Sequence, residues 1–462
     1  MLFSTWPFFL FLAAVLSLHY ALPRPFRKYL LLAASYVFYM SWNAKFAVLL
    51  AGLTVVDFAA AILLERLPAT RRKCALIFSL AANLGMLGFF KYYNFLAFNT
   101  ASVFGLDQHR WALDIVLPLG ISFHTFQSIS YVMDVYRADQ RAIRNLADYA
   151  LYISFFPQLI AGPIVRAHQF FADLASWRAP TNVEWRRGAL LLLLGLAKKV
   201  AVADQFGLIA DRYFQNVAAQ TGRVFALSGV FAFDMQVYFD FAGYTDMAIG
   251  MALLLGFHFP ENFRRPYLSQ TVTEFWRRWH MSLSTWLRDY LWFPLSANRR
   301  GRLSTYRNLM ITMLLVGLWH GASWNFVLWG GWHGALLSAE HALGFRPIPT
   351  PNRWLAPLRV TFTFALVALG WILFRARTLA EAGVILNQIV LKGGGTSLCP
   401  GWLYWLATGT LLLAWLEERF NWFERVVKGS AWTYAAVASL LLFATELLTV
   451  SDVNLPFIYF QF

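Results

Sequence analysis

Long apolar runs separated by short polar segments make up most of the chain, and many are long enough to cross a bilayer. A helix needs about 20 apolar residues to span the hydrocarbon core. The candidate spans are residues 3–22, 29–43, 46–64, 74–90, 115–133, 147–165, 188–203, 223–239, 241–257, 308–327, 328–344, 355–374, 401–417 and 431–450. Several are short or interrupted, so the pattern predicts about 10–12 transmembrane helices, with the others re-entrant or interfacial.

The composition indicates that lipid is the solvent for most of the chain. Of the 462 residues, 59% are hydrophobic and 14% are charged, whereas soluble domains have about 45–50% apolar and about 25% charged residues. A single soluble core stops growing near about 250–300 residues and cannot hide this much apolar surface. We therefore predict an all-α integral membrane protein and exclude a soluble enzyme, a disordered regulator and a disulfide scaffold. Cys74 and Cys399 show no metal-ligand spacing and are interpreted as packing residues.

The basic residues indicate how the chain is oriented. With 39 basic and 24 acidic side chains the net charge is +15, but the cations lie in short loops between apolar runs, which favours a membrane over a nucleic-acid partner. Basic residues are concentrated around 24–28, 66–73 and 137–144 and are sparse in the loops between these segments. Because Lys and Arg in short loops stay cytoplasmic, we expect a multi-pass protein whose N-terminus lies outside the cytoplasm. The first run lacks the basic start and cleavage site of a signal peptide and is expected to remain as a span.

The chain shows no internal repeat and no long polar segment that could form a separate soluble domain. We therefore expect a single polytopic membrane domain over residues 1–462. The Pro-rich stretch 345–353 is a possible boundary within it.

Polar residues inside apolar runs point to a protein interior or an aqueous cavity, because such groups are costly in lipid. On a helix His124, Gln127 and Ser128 share one face with Tyr131, and hydrogen bonds to neighbouring helices are the simpler explanation. In 155–166, Pro157 and a Gly-Pro pair would break a helix. Broken backbone at this depth lines a cavity or is buried in protein, and a kink needed only for packing is an equal alternative.

Two carboxylates, Asp240 and Asp246, lie beside small and aromatic residues in another apolar run. A six-residue separation turns a helix by about 240°, so the two side chains do not share a face. An acid/base pair is therefore doubtful, and capping or bridging between helices is the preferred interpretation.

The segment 273–290, TEFWRRWHMSLSTWLRDY, carries polar and aromatic residues at helical spacing. On a helical wheel Arg277, His280, Ser284 and Arg288 fall within one narrow arc, and aromatic and leucine side chains cover the opposite side. This pattern predicts an amphipathic helix at a membrane interface or at the mouth of a cavity. A surface anchor with an incidental histidine is the alternative.

A second histidine block follows, LWHGASWN at 318–325 and then WGGWHG at 329–334. His320 lies within an apolar span beside small residues that allow close approach, although a lone membrane histidine is often structural. His333 would not face His320 on one straight helix. The spacing of di-iron or zinc ligands is missing, so no metal is expected. Neither a GxxxxGK[ST] loop nor a G-x-S-x-G elbow is present, which removes support for ATP-driven transport and serine hydrolysis.

Taken in order, several segments resemble the membrane-bound O-acyltransferase family, and most closely its bacterial alginate O-acetylation branch. They are FHTFQSISYVMDVYR (123–137), FFPQLIAGPIVR (155–166), YFDFAGYTDMAIGMALLLGF (238–257), NFRRPYLSQTVTEFWRRWHMSLSTWLRDYLWFPL (262–295), GLWHGASWNFVLWGGWHG (317–334) and PFIYFQF (456–462). The resemblance covers the chain from end to end. It implies a helical fold with two funnels that meet near mid-membrane, and it places the catalytic core at about 115–345.

The resemblance also implies which residues act. His320 would be the principal catalytic residue and His280 the second site histidine. We expect His320 to act as general base toward an acceptor hydroxyl, with acetyl-CoA as donor substrate and no bound cofactor. His280 would orient the thioester or donate to its carbonyl. The predicted substrate contacts are Arg277, Ser284, Arg288, Trp319 and Asn325, with the arginines neutralising phosphates of the donor.

For a protein of this branch the resemblance implies the bacterial inner membrane, contact with membrane lipid, and an extracytoplasmic partner that completes transfer to a polysaccharide. Alginate-type exopolysaccharide is the first choice of acceptor, and cellulose or peptidoglycan is the alternative. A different class of function is a proton-coupled transporter or flippase that uses His124, Asp240 and Asp246 as a relay. A third hypothesis is a non-enzymatic scaffold for polysaccharide-modifying enzymes.

Overall fold

The computed structural model describes residues 1–297, 301–345, 354–450 and 456–458, and all regular secondary structure in these ranges is helical. The α-helices are α1 Trp6–Ala21, α2 Arg24–Arg66, α3 Ala69–Leu87, α4 Tyr93–Val103, α5 Ile121–Arg137, α6 Leu146–Ser154, α7 Phe156–Leu159, α8 Ala167–Ala175, α9 Asn182–Ala197, α10 Asp204–Phe214, α11 Arg223–Leu254, α12 Val272–Arg278, α13 Met281–Leu287, α14 Phe293–Ser296, α15 Arg302–His320, α16 Trp324–Ala342, α17 Leu355–Arg375, α18 Leu379–Leu391, α19 Gly401–Phe420, α20 Trp422–Lys428 and α21 Ala431–Leu447. Wider π-helical turns occupy Gly88–Tyr92, Lys198–Ala203 and Arg288–Trp292, and short 3-10 helices occupy Gln108–Trp111 and Pro266–Leu268. The predicted all-helical class is confirmed.

Several helices have the length and apolar character of membrane spans. Among the described residues, four stretches meet both criteria: Arg24–Arg66, Thr70–Val103, Arg223–Leu254 and Leu355–Arg375. Shorter apolar helices are α1, α18 and α21. A helical membrane protein is thus confirmed, while the total number of spans stays a prediction.

Local sequence signals account for several helix boundaries. Within α2 the backbone of Asn43 is non-helical (φ −160°, ψ 111°), which separates the predicted spans 29–43 and 46–64. The predicted break near Pro157 is present, because α6 ends at Ser154 and α7 covers only Phe156–Leu159. The backbone N–H of Phe156, left without a helical partner, donates to Ser35 Oγ at 3.1 Å.

Two boundaries differ from the sequence expectation. The spans predicted at 223–239 and 241–257 are one continuous 32-residue helix, α11, because no Gly-Pro break interrupts it and Asp240 is paired with a buried lysine. Helix α18 was not predicted, since its 13 residues are too few to cross a bilayer. Its start is set locally by Thr378, whose side chain accepts a hydrogen bond from Glu381 N.

The chain divides into two compact units. Unit 1 comprises Met1–Ala189 and Ala248–Pro260, and unit 2 comprises Leu190–Met247 and Glu261–Phe462. The single membrane domain stays a prediction, and the possible boundary at 345–353 lies outside the described residues except for its first residue.

Unit 1 contains the polar stripe predicted on α5. His124, Gln127, Ser128 and Tyr131 are all buried there. The Tyr131 hydroxyl accepts a hydrogen bond from Ile143 N at 2.8 Å. The interpretation that these side chains hydrogen-bond to neighbouring helices requires all of them to be buried inside the protein, as they are here.

A charged cluster lies on the surface of unit 1, where His258 is bracketed by two carboxylates. Its Nδ1 is 3.0 Å from Asp173 Oδ1 and its Nε2 is 3.2 Å from Glu184 Oε1. Burial alone would lower the pKa of His258, but the hydrogen bonds to Glu184 and Asp173 outweigh it and raise this pKa above its ordinary value. Hydrogen bonding to Arg178 holds the pKa of Glu184 well below its usual range, against a smaller opposing effect of burial.

Unit 2 contains two helix crossings that only glycine permits. A Cβ on Gly317 of α15 would lie 2.1 Å from Phe326 O, and one on Gly330 of α16 would lie 2.1 Å from Met313 O. A Cβ on Gly195 of α9 would lie 2.5 Å from Gly243 O on α11. These close approaches pair α15 with α16 and α9 with α11, backbone against backbone.

Candidate active site

The chain breaks sharply at His280, and this break places its side chain. Helix α12 ends at Arg278, Trp279 is extended (φ −100°, ψ 127°) and His280 adopts the left-handed conformation (φ 42°, ψ 56°) before α13 begins at Met281. A left-handed L-residue costs roughly 1–2 kcal/mol, so the surrounding contacts must hold it. The imidazole is fully buried.

The single amphipathic helix predicted over 273–290 is therefore wrong. Arg277 and Arg288 are exposed whereas His280 is buried, so they do not form one cationic face. The physical reason is the left-handed turn, which starts a new helix in a different direction. Ser284 is half-buried and its Oγ is 3.4 Å from Trp279 O. Arg288 pairs with Asp289 at 2.8 Å.

Asn262, from a preceding segment of the chain, stabilises the backbone break at His280. Its Oδ1 lies 3.1 Å from Ser282 N, 2.8 Å from Ser282 Oγ and 3.1 Å from His280 Nδ1. Backbone hydrogen bonds run from Met281 N to Asn262 O at 2.9 Å and from Arg264 N to Arg278 O at 2.8 Å. Sequence reasoning missed Asn262, because nothing in its neighbourhood signals that it meets a residue 18 positions later.

A network of carboxylates and arginines secures the same region and was also missed. Glu340 on α16 accepts hydrogen bonds from Val272 N at 2.6 Å and Thr273 N at 2.8 Å, at the start of α12. Arg278 pairs with Glu274 at 2.7 Å and with Glu418 on α19 at 3.1 Å. These bonds fix both ends of α12, which leads directly into His280.

His320 is the last residue of α15, within the hairpin of α15 and α16. The close approach at Gly317, three residues earlier, brings α16 near enough for aromatic rings to enclose this imidazole. The ring centroid of His320 is 4.7 Å from that of Trp319, 5.0 Å from Trp329 and 5.2 Å from Phe374. The imidazole is 5% exposed, so the predicted catalytic base lies inside an aromatic cage.

The two predicted histidines lie in one aromatic cluster of unit 2. The Trp319 ring is 6.2 Å from His280 and 4.7 Å from His320 between centroids. On its other sides His280 contacts Phe241 at 4.9 Å and Phe263 at 6.3 Å. The fold thus brings together side chains that are 40 residues apart in sequence.

His333 joins the cluster from α16. Its Nδ1 is 3.3 Å from Trp276 Nε1, which can only donate, so Nδ1 is the acceptor. His333 and His320 do not share a helix, as expected, but both contact the ring of Trp329, each at 5.0 Å between centroids. The hairpin, and not helical periodicity, sets this relationship.

The remaining predicted contacts lie in different places. Trp319 lies between the histidines and is largely buried. Asn325 is also buried, and its Nδ2 donates to Ala376 O at 2.6 Å, which ties the start of α16 to the end of α17. This bond explains Asn325 as a structural tie, and its contact with substrate stays a prediction.

Asp240 and Asp246 bridge helices, the interpretation preferred from the sequence. Asp240 pairs with the buried Lys199 at 2.8 Å, and Asp246 pairs with Lys198 at 2.5 Å. Lys199 also pairs with Asp204 at 2.8 Å. Because both carboxylates of α11 are held by lysines of the π-helical turn, neither faces the other as an acid/base pair.

The described part of the C-terminal segment packs on α11. Ile458 N donates to Asp240 Oδ2 at 2.7 Å, and the Phe457 ring is 4.5 Å from Tyr244 and 5.7 Å from Phe241. Phe241 in turn contacts His280. Residues 459–462 of this segment lie outside the described residues.

The arrangement is suited to proton transfer. A neutral imidazole has one donor and one acceptor nitrogen, and aromatic rings surround the imidazole of His320. In the ranges the structure describes, no group of three or more His, Cys, Asp and Glu side chains could hold a metal ion.

Comparisons with known proteins agree on one family. Residues 137–356 match the model of the membrane-bound O-acyltransferase family. The chain is 41% identical to a probable alginate O-acetylase of Pseudomonas putida and 40% identical to one of Azotobacter vinelandii, in both cases over 100% of each chain. It is 36% identical to a peptidoglycan O-acetyltransferase of Helicobacter pylori, over 81% of this chain and 75% of that protein.

Proposed function

The chain belongs to the membrane-bound O-acyltransferase family, in its alginate O-acetylase branch, and from this premise we propose that it moves an acetyl group from cytoplasmic acetyl-CoA to an extracytoplasmic polysaccharide of the alginate type. That it is an O-acyltransferase follows from the family. The observation that carries the choice of site is the aromatic cluster around His280 and His320. The family resemblance implies a role for both residues, and their place in one cluster supports the proposal.

The proposed chemistry is direct acyl transfer. His320 takes the proton of the acceptor hydroxyl, and the hydroxyl oxygen attacks the thioester carbonyl carbon. The bond between that carbon and sulfur then breaks, and the leaving thiolate receives the proton as the new ester forms. The aromatic walls keep water away, which limits hydrolysis of the thioester. His280 is the second histidine of this site.

The donor and the partner are proposed from the chemistry that such a transfer needs. The exposed Arg277 and Arg288 offer cations for the phosphates of acetyl-CoA. We further propose the bacterial inner membrane with a periplasmic N-terminus, and an extracytoplasmic partner protein that passes the acetyl group to the polymer. The named relatives act on alginate or peptidoglycan, and the 36% identity to the peptidoglycan enzyme makes peptidoglycan the second candidate acceptor.

The proton-relay alternative gains no support from the ion pairs. A relay through α11 needs carboxylates that exchange protons, whereas Asp240 and Asp246 are each paired with a lysine. Because each carboxylate is held by its own lysine, the two do not form a continuous chain of proton-exchanging groups.

The test compares wild type with His320→Ala in nanodiscs, using radiolabelled acetyl-CoA with and without the extracytoplasmic partner. The expected result is loss of acetyl transfer by about 10²–10⁴-fold, the usual contribution of a general base. The matched control is His341→Ala, because His341 is an exposed histidine at the end of α16 and its loss should leave turnover unchanged. Full activity of His320→Ala would overturn the site. No turnover of acetyl-CoA, with turnover of another thioester, would overturn the donor.

A further inference from the structure

Asn262 contacts Nδ1 of the buried His280 imidazole through its side-chain amide. Asn262 is fully buried, and its Oδ1 meets Ser282 N, Ser282 Oγ and His280 Nδ1. The backbone N–H of Ser282 can only donate, so the amide atom that faces it must be oxygen. The orientation of the amide is therefore fixed by the backbone and not by the histidine.

The tautomer of His280 follows from this orientation. An amide oxygen only accepts hydrogen bonds, so the contact at 3.1 Å requires a hydrogen on Nδ1. Complete burial against Phe241 and Phe263 favours the neutral imidazole, because a charged ring loses its hydration there. A neutral ring carries one hydrogen, so Nε2 holds the lone pair.

We propose that Asn262 is a positioning residue of the acyl-transfer site: it holds His280 in the Nδ1–H tautomer and makes Nε2 a hydrogen-bond acceptor. The consequence for catalysis rests on the proposed function, whereas the tautomer itself does not. Of the two roles predicted for His280, donation to the thioester carbonyl does not fit a lone pair on Nε2. Orienting the thioester does fit, through a hydrogen bond accepted from an amide N–H of the pantetheine arm.

The geometry also explains why His280 tolerates a left-handed backbone. With φ 42° and ψ 56°, His280 turns Ser282 N and its own Nδ1 toward the same oxygen atom. One buried acceptor thus satisfies the backbone at the start of α13 and orients the ring at once. The backbone bonds of Met281 to Asn262 and of Arg264 to Arg278 keep the two segments in register.

The first experiment reads the tautomer without any acyl transfer. Wild-type protein with ¹⁵N-labelled histidine is placed in nanodiscs, and the His280 signal is assigned by its loss in His280→Gln. We expect a protonated Nδ1 and an unprotonated Nε2 in wild type, and a mixture of tautomers in Asn262→Ala. A protonated Nε2 in wild type would overturn the inference. Because this reading needs no substrate, it stands or falls separately from the proposed acetyl transfer.

The second experiment tests the role in turnover. Asn262→Ala should lower kcat by about 10–100-fold, the range found when a group that orients a catalytic ligand is lost. Ser282→Ala is the matched control, since it removes another buried hydrogen bond to the same oxygen but leaves the one to His280. It should keep kcat close to wild type, because Asn262 Oδ1 and its contact with His280 Nδ1 remain in place. Asn262→Ala removes three hydrogen bonds and Ser282→Ala removes one, so kcat is compared per molecule of folded protein.

Asn262→Asp supplies the conservative rescue. A carboxylate accepts the same three hydrogen bonds, so activity at neutral or higher pH should be largely retained. Because a negative charge within hydrogen-bond distance favours protonation of His280, the acidic limb of the pH profile should move to higher pH by about 1 unit or more. A role in folding alone predicts an unchanged pH profile in Asn262→Asp, and a kcat per molecule of folded protein in Asn262→Ala that equals that of Ser282→Ala. That result would overturn the proposal.

Discussion

Adding one methyl group at Gly317 should displace His320 without altering the chemistry of the site. A Cβ at this position would lie 2.1 Å from Phe326 O and 3.0 Å from Phe326 C. Both atoms belong to the backbone of α16, so no side-chain rotation relieves the clash. Ordinary contact requires the two helices to separate by about 1 Å.

The magnitude follows from that separation. Overpacking of this kind typically costs about 1–3 kcal/mol, and only part is offset by the better helix propensity of alanine, worth up to about 1 kcal/mol. His320 lies one turn after Gly317 and contacts Trp329 on α16 and Phe374 on α17. A shift of about 1 Å at a reacting group can cost about 10²-fold in rate. We therefore expect Gly317→Ala to lower kcat by that order, together with a modest loss of thermal stability.

The assay is acetyl-CoA turnover in nanodiscs, with thermal unfolding measured in parallel on the same preparations. Gly331→Ala is the matched control, because its Cβ would meet only Leu314 Cδ2 at an ordinary 3.6 Å. It carries the same gain in helix propensity and should keep wild-type activity. If Gly317→Ala matches Gly331→Ala in both turnover and unfolding temperature, the argument from the helix crossing is refuted.

Two further predictions concern stability. The pKa of His258 is raised in the folded protein by its pairing with Glu184 and Asp173. This pairing therefore stabilises the fold fully at a pH below 6.5, the pKa of the unfolded chain, and the stabilisation is lost as the pH rises through the pKa of the folded protein. The unfolding temperature of His258→Gln should therefore fall furthest below wild type at acidic pH, and an equal difference at pH 5 and pH 9 would contradict the reasoning. Asp240→Asn should destabilise unit 2 by about 3 kcal/mol, the low end for breaking a buried pair, because Asp204 still faces the buried Lys199. Glu424→Gln, which breaks a 3.7 Å pair with an exposed lysine, should change stability by less than about 1 kcal/mol, and equal effects of the two substitutions would argue against a buried ion pair.

Much of the helical pattern could be predicted because its causes are local. Apolar runs of membrane length, the break at Pro157 and the separation of spans at Asn43 follow from residues within a few positions of each other. The continuous helix α11 could not be predicted so simply. Its apolar run contains Asp240, and whether that charge ends a helix depends on Lys199, which meets it from another part of the chain.

The candidate site shows the same division. The types and order of residues identified His280 and His320, because these blocks resemble a known family. The helical wheel drawn for residues 273–290 was wrong, because a periodic pattern assumes an unbroken helix. The left-handed turn at His280 breaks this helix and is held by contacts with Asn262. For that reason the predicted single face with Arg277, His280 and Arg288 does not form.

The sequence by itself therefore determined the membrane environment, the helical class and the family, and it selected two candidate histidines, since each of these depends on composition or on short stretches of chain. The tertiary structure alone decided which side chains enclose those histidines and which nitrogen of His280 is free of hydrogen. These features depend on pairs such as Asn262 with His280, and Gly317 with Phe326, that meet only when separate segments pack. A one-dimensional pattern records the presence of such residues, and their contact is set by the packing of the whole unit.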